Sequence, residues 1–387
     1  MSTQSSTPQT TGSNHRVRVT PMTMADGREL LYFDDSEPYV SGEQTRTLVD
    51  PRELPEAATV SEMRRDPLTG DWTTMAAHRM NRTFMPPANA NPLAPSTAGQ
   101  LPTEIPADDY NVVVFENRFP SFSLHMDPAA VSEHTVDGAA VFPRLPARGR
   151  CEVVCFTPDV SASFKDLSVS RIRTVIEAWA HRTAALQAID GIEQVFPFEN
   201  RGEEIGVTLQ HPHGQIYAYP FVPPRTKAIV AQAKQYRAEH GEDLFAAVLA
   251  AECESARRVL HDGEYFVAFV PAAAKWPIEF MIMPKRDVKD FTELTDPEKD
   301  ELAAMYKDML QRLDRFFDGV EKTPYIAAWN QAPTGEDRQY VRFHLQVYSL
   351  MRQAGRMKFL AGSESAMGAW INDTTPEHIA DRFRQLA

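Results

Sequence analysis

The sequence predicts an α+β protein made of two copies of one domain, and three observations carry that reading. "HGQIY" at 213–217 and "HLQVY" at 344–348 share the pattern His-x-Gln-apolar-Tyr, 131 residues apart. An Asn closes the strand-like segment ahead of each motif: Asn200 and Asn330 lie 13 and 14 residues before the His. Each motif also follows the same order of strand, helix and strand. A period of 131 residues is far longer than a solenoid unit of about 20–50 residues, so it fits two domains packed as a pseudo-dimer.

Taken in order, residues 1–50 open on the polar run "MSTQSSTPQTTGSNH", which lacks the apolar h-region of a secretory signal and reads as a flexible tail. Order is expected from near residue 50. "DPLTGDW" (66–72) is a Pro/Gly turn that leads through "HRMNR" (78–82) into a Pro- and Ala-rich loop at 86–105. "CEVVCFTPD" (151–159) reads as a buried strand, and Ile172, Val175, Ile176, Trp179 and Leu186 fall on one face of a helix. Strands "EQVFPFEN" and "HPHGQIYAY" follow. The second half repeats the order with strand "IEFMIMPK" (278–285), a helix, and strands "YIAAWNQ" (325–331) and "RFHLQVYSL" (342–350). Thr295-Asp-Pro-Glu298 is a capping box with Pro in the first turn of that helix. Leu302, Met305, Tyr306, Met309, Leu310, Leu313 and Phe317 make its apolar stripe. The expected division is a tail at 1–50, a first repeat at 51–225 with the reactive His, and a second repeat at 226–387.

Composition bounds the function. A chain of 387 residues holds two or three domains, each with its own core. Its 43% hydrophobic and 24% charged residues are those of a globular protein, and no apolar run approaches the roughly 18 residues of a membrane span. A formal charge of −13 argues against a protein that grips nucleic-acid backbones, which takes many Lys and Arg contacts. A phosphorylated substrate would need a local basic pocket. Cys151, Cys155 and Cys253 are too few and too irregularly spaced for a disulfide framework or metal knuckles, so a reducing, cytoplasmic setting is expected.

"TLQHPHGQIYAY" (208–219) is the stretch with the most chemistry. In an extended segment His211 and His213 would point to one face. A metal reading has that geometry but lacks a convincing third ligand, and catalytic zinc takes about three protein ligands. The nucleophile reading uses the motif better, because neutral imidazole attacks phosphorus well at pH 7 and gives a reversible intermediate. Pro212 would fix the backbone, Gly214 would let main chain approach a substrate phosphate, and the Gln215 amide could donate to a non-bridging oxygen. "ENRGEEIGVT" (199–208) and "FENRF" (115–119) each combine Asn with Gly or Phe, plausible for a base and ribose and equally compatible with plain turns.

At this point the chain resembles a known family, the galactose-1-phosphate uridylyltransferases of the histidine-triad superfamily. The resemblance runs from about residue 60 to the C-terminus through "DPLTGDW...HRMNR", "VVFENRFPSF", "FENRGEEIGVTLQHPHGQIYAY", "WPIEFMIMPK" and "KFLAGSE". It implies two tandem histidine-triad-like repeats, each a half-barrel antiparallel sheet with outer helices, in a homodimer whose active site is shared between subunits. It implies small-molecule substrates, UDP-glucose and galactose 1-phosphate, and neither nucleic acid nor membrane. His213 would attack the α-phosphorus of UDP-glucose, glucose 1-phosphate would leave, and galactose 1-phosphate would take the uridylyl group. Gln215 would hold the transferring phosphoryl group. Arg79, Arg82, Asn117, Phe119, Asn200, Gly206 and Thr208 match positions near the nucleotide, and Lys358, Gly362 and Glu364 match positions at the hexose of the partner's site. A nucleotide phosphorylase, with inorganic phosphate as acceptor, is the neighbouring alternative, and a nucleotide-sugar or metal binder without turnover is the alternative from another class.

The departures fall on the metals. Family members with structural zinc use two Cys, a His and the first His of HPH; here Asn91, Ala94 and Val160 stand at the first three positions and only His211 remains. The family's second metal site maps to Ile229, Asn330, His344 and Gln346, again with one His surviving. The expectation is an enzyme with no metal or other cofactor, in which packing and hydrogen bonds replace the ions. Ser363 and Trp370 replace a Tyr and a Gln found at the sugar end in some members.

Overall fold

The computed structural model describes residues 15–57, 59–81, 86, 90–126, 131 and 133–387. The first half runs β1 (Arg18–Thr23), β2 (Glu29–Asp34), β3 (Glu62–Arg65), β4 (Trp72–Met75), β5 (Val112–Glu116), β6 (Thr135–Val136), β7 (Ala139–Pro146), β8 (Arg150–Cys155), α1 (Val169–Gln187), β9 (Gln194–Arg201) and β10 (His213–Tyr219). The second runs α2 (Pro224–His240), α3 (Leu244–Ser255), β11 (Val259–Asp262), β12 (Phe266–Phe269), β13 (Ile278–Pro284), α4 (Asp296–Asp314), β14 (Tyr325–Asn330), β15 (His344–Ser349), β16 (Met351–Gln353), β17 (Arg356–Met357), α5 (Gly362–Met367) and α6 (Pro376–Gln385).

Eleven strands form one antiparallel sheet in the order β1-β2-β5-β8-β10-β9-β14-β15-β13-β12-β11. The sequence repeat is visible in that order. Five strands, β2-β5-β8-β10-β9, are mirrored by β11-β12-β13-β15-β14 about the β9–β14 seam, where Tyr325 to Ala328 pair with Arg201 to Phe198. The two copies are therefore fused edge to edge, more intimately than two domains packed as a pseudo-dimer. A second sheet, β4-β3-β7-β6, stands apart in the first half.

The helices were legible from their ends and stripes. Ser168 caps α1 by accepting from the Arg171 amide, and Ile172, Val175, Ile176, Trp179 and Leu186 are all buried. Thr295 and Glu298 form the capping box of α4, and Leu302 through Leu313 of its stripe are buried; Phe317 lies just past the helix. Both helices cover the same face of the sheet and bury their stripes in one apolar cluster that spans the two halves. Trp179 of α1 meets Trp329 of β14 with ring centroids 5.1 Å apart. No helix among the described residues is long and apolar enough to cross a membrane.

The expected flexible tail at 1–50 is corrected by the hairpin β1–β2. Residues 1–14 lie outside the described residues, but Leu30, Leu31, Tyr32 and Phe33 are buried, and β2 pairs with β5 through Leu30 to Phe33 against Phe115 to Val112. Ordered chain thus begins more than thirty residues earlier than expected, because four consecutive apolar residues supply both faces of a second-row strand.

Candidate active site

The face opposite α1 and α4 differs between the two halves. In the first half, residues of period two on adjacent strands point into a cavity of about 280 Å³. Its floor is a cross-strand row: Gln215 pairs with Val153 of β8 and Phe198 of β9, and Val153 pairs with Phe115 of β5. His213 and Tyr217 flank Gln215 on the same side of β10. Arg79, Asn117, Phe119, Asn200, Gly206 and Thr208 line the same cavity, so eight of the nucleotide-side residues expected from the sequence converge. Arg82 lies outside the described residues.

His213 is held in one tautomer. Its Nδ1 lies 2.7 Å from the carbonyl oxygen of His211, and since a carbonyl can only accept, Nδ1 carries the proton. Nε2 keeps its lone pair on the side of the ring away from the bonded nitrogen. Burial lowers the His213 pKa from its ordinary value, which keeps the ring neutral at pH 7. A neutral imidazole with an oriented, unprotonated Nε2 is the form that attacks phosphorus.

His211 takes the opposite tautomer and a different place. β10 begins at His213, so His211 lies in the bend just ahead of the strand. The His211 Nε2 lies 2.9 Å from the Thr157 carbonyl oxygen and 3.0 Å from the Tyr110 hydroxyl, which itself donates to Thr157 at 2.8 Å. Nε2 therefore donates, and the Asn91 amide approaches Nδ1 at 3.5 Å. Burial pushes the His211 pKa down to about 4.

Those contacts show how far the residues present suit a metal ion. At the zinc position the donor set is an amide, Ala94, a largely exposed Val160 and a histidine whose two nitrogens are already engaged. It does not fit zinc, which takes thiolate, imidazole or carboxylate ligands. At the second position Ile229 packs in an apolar cluster, Asn330 donates to the Ala328 carbonyl, Gln346 donates to Glu279 at 2.6 Å, and His344 Nδ1 donates to the Arg342 carbonyl at 2.8 Å. That set does not fit either. Among the described residues, no group of three or more His, Cys, Asp or Glu side chains is gathered where an ion could be held.

Gly214 has a different reason from the one expected. It points to the helix face, where a Cβ would come within 2.8 Å of the Phe156 ring and 2.9 Å of the Phe198 carbonyl. Its smallness serves core packing behind the cavity, not approach to a phosphate. Gly206 does what the loop needs: it adopts φ +84° and closes the turn after Glu203–Ile205.

Backbone and aromatic contacts fix the walls. Asn117 donates its backbone N–H to the Cys151 carbonyl, and its side-chain Oδ1 accepts from the Phe119 backbone N–H, each at 2.8 Å. Arg79 donates to the Phe119 carbonyl at 2.8 Å. The Tyr217 and Phe198 rings meet edge to face at 5.1 Å. The sequence reading missed Leu93, Glu104, Phe115, Arg118, Val153, Phe198 and Tyr217. Tyr217 was within reach of it, because it follows His213 and Gln215 at period two; Val153 and Phe198 need the strand pairing.

Lys358, Gly362 and Glu364 stand away from this cavity in their own chain. Lys358 is buried and pairs with Glu364 at 2.7 Å; it also donates to the Ile371 carbonyl. Ser363 donates to the Ala369 carbonyl, and Trp370 packs edge-on against Trp276.

Comparison with known proteins agrees with this geometry. Residues 51–223 match the family model described as galactose-1-phosphate uridyl transferase, N-terminal domain, and residues 229–387 match the C-terminal domain of the same name. The chain is 42% identical over 380 residues to the galactose-1-phosphate uridylyltransferase of Streptomyces lividans, covering 96% of this chain and 98% of that one. It is 34% identical to the protein of that name from Thermotoga maritima, over 84% of this chain and 98% of that one. A solved structure titled "Structure of uridylyltransferase" superposes with a TM-score of 0.74 at 32% identity, over 84% of this chain and 98% of that one.

Proposed function

Because the chain belongs to the galactose-1-phosphate uridyl transferase family, we propose that its cavity carries uridylyl transfer through a covalent intermediate on His213. The protein is an enzyme of uridylyl transfer between sugar 1-phosphates. The observation that supports the covalent step is the Nδ1–H to His211 carbonyl bond, which leaves Nε2 unprotonated beside Gln215. Nε2 attacks the α-phosphorus of UDP-glucose, the bond from that phosphorus to the bridging oxygen breaks, and glucose 1-phosphate leaves with the electron pair. Galactose 1-phosphate then attacks the same phosphorus through its phosphate oxygen, and His213 leaves as neutral imidazole. The imidazolium-like charge that builds during each transfer is stabilised by the His211 carbonyl at Nδ1. The Gln215 amide and Arg79 meet the phosphoryl oxygens, and a donor of that kind is worth about 3 kcal/mol in a transition state. Asn117 and Phe119 hold the nucleoside, and Asn200, Gly206 and Thr208 line the phosphate path.

The second copy keeps the histidine and not the site. Phe245 of α3 covers His344 with ring centroids 5.6 Å apart, and burial lowers the His344 pKa to about 4. Only the first copy reacts.

Neither metal position needs an ion for this chemistry, and elemental analysis of protein purified without chelator should return far less than one zinc or iron per chain. We propose further that the enzyme acts in the cytoplasm as a homodimer, in which the segment of Lys358, Gly362 and Glu364, its shape fixed by the Lys358–Glu364 pair, borders the hexose in the partner's cavity. Exposed apolar side chains on that segment, Phe359 at 87% and Met367 at 80%, support a covering partner.

The test uses UDP-glucose labelled in the α-phosphate. Denatured enzyme should retain acid-labile, alkali-stable label, and His213→Ala should lose both the label and exchange. Full exchange by His213→Ala would sink the mechanism, and glucose 1-phosphate release that requires inorganic phosphate would make the enzyme a phosphorylase.

A further inference from the structure

Among the described residues, Glu104 is the one acidic side chain lining the cavity. A carboxylate is out of place in a pocket for a dianionic substrate unless its charge is offset and its oxygens have donors to meet. Both conditions are built in. Arg28 Nη2 lies 2.6 Å from Oε2, Arg52 Nη1 lies 2.7 Å from Oε1, and Arg118 Nη1 stands 3.6 Å from Oε1. The two close arginines are fixed in turn: Arg28 by Asp26 and the Glu116 carbonyl, each at 2.8 Å, and Arg52 by both oxygens of Asp50. Arg28 is 2% exposed and Glu104 6%, so this is an oriented carboxylate and not a surface pair.

A carboxylate has about four acceptor positions, two on each oxygen. Arg28 and Arg52 occupy one on each, which leaves one on each oxygen for a ligand with two adjacent O–H donors. The position selects which hydroxyls. Arg28 ties Glu104 to the end of β5, and β5 is two strands from β10, roughly 10 Å from Gln215 across the sheet. Leu93 and Phe115, with Phe119, supply apolar wall on that side. A flat base fits against that wall, and the sugar joining the base to the transferred phosphorus then passes Glu104.

We infer that Glu104 accepts hydrogen bonds from the ribose 2′- and 3′-hydroxyls of the nucleotide, with Arg28 and Arg52 as positioning residues. The inference rests on the cavity being the uridine nucleotide site. Arg28 comes from the β1–β2 hairpin, ahead of residue 51 where the match to the family's N-terminal domain begins.

Calorimetric binding of UMP and of 2′,3′-dideoxy-UMP to the full chain tests it. Hydrogen bonds to a charged acceptor predict that wild type prefers UMP by about tenfold to a hundredfold. In Glu104→Gln the preference should fall to about threefold or less, because an amide offers one acceptor oxygen and turns donors toward the hydroxyls or the arginines. Arg52→Lys, a milder change, should lower the preference by several-fold while binding of the dideoxy compound stays near wild type. An unchanged ratio in either folded variant, including equal weakening of both ligands, overturns the inference, as does a wild type without preference. The same preparations are assayed for exchange between UDP-glucose and galactose 1-phosphate. Ribose preference without exchange faults the transfer reading alone; exchange without ribose preference faults the role of Glu104 alone.

Discussion

Single residues here are constrained from two sides of one sheet. Gly214 is the clearest case: His213 and Gln215 face the cavity, so Gly214 faces Phe156. Gly214→Ala should cost about 1–3 kcal/mol through overpacking, and the loss should be smaller when Phe156→Leu is added, since the shorter side chain makes room. Urea unfolding of the two single variants and the double variant reads that coupling. The sequence made Gly214 conspicuous by its place in the motif but could not say which face required it. Parity along β10 sets Gly214 opposite His213 and Gln215, and the pairing with β8 and β9 shows that this face meets Phe156 and the Phe198 carbonyl. The histidines were legible in the same partial way. Their difference lies in which ring nitrogen meets a carbonyl, set by where the Thr157 and His211 carbonyls lie, which residue identities do not encode.

Elements carry the asymmetry between the two halves. β10 and β15 have the same sequence pattern and the same Nδ1-to-carbonyl bond, yet α2 and α3 cover that face of the second half with Val230, Phe245 and Leu249, and Phe245 meets the His344 ring. The helix stripes and strand runs of both halves could be read from the sequence because each carries its own apolar periodicity, although α1 and α4 bury theirs in one cluster shared by the two halves. Which open face would be covered depends on where α2 and α3 fold back, and their mixed faces give no periodic signal. The β9–β14 seam has an element-level consequence of its own. Glu199 of β9 faces the core beside the buried hydroxyls of Tyr306 and Tyr325. Burial raises the Glu199 pKa to about 7, against the Tyr325 hydroxyl, Arg201 and the Tyr306 hydroxyl, which each lower it. With a folded pKa above the unfolded value, the folded state holds the proton more tightly, so stability is full below about pH 4.5 and falls as pH rises through 7, by about 3 kcal/mol. Glu199→Gln should remove that slope: relative to wild type it gains stability at pH 8 compared with pH 5 in urea unfolding. A parallel pair of pH profiles would refute the assignment.

At the scale of the molecule, the half-repeats are parts of one sheet and one core, and the hairpin β1–β2 belongs to that whole. Leu31 and Phe33 enter the central apolar cluster beside Val112 and Val114. Removing residues 1–50 should therefore leave β5 with an unpaired edge and an uncovered apolar row, and the shortened chain should aggregate or lose its cooperative melt in circular dichroism and gel filtration. A shortened chain that stays monodisperse with an unchanged Tm would contradict this. The hairpin escaped the sequence reading because its strands are six residues each and follow a polar leader; their apolar residues acquire a purpose only beside β5, some eighty positions later. β1 is also where the sheet stops. Pro21 sits within it, opposite Leu31, and proline has no N–H to offer a further strand. A ring at that position is tolerated on a terminal strand and obstructs a twelfth. The β1 rim of the ladder thus resists templating another chain, and association between copies along that rim is disfavoured.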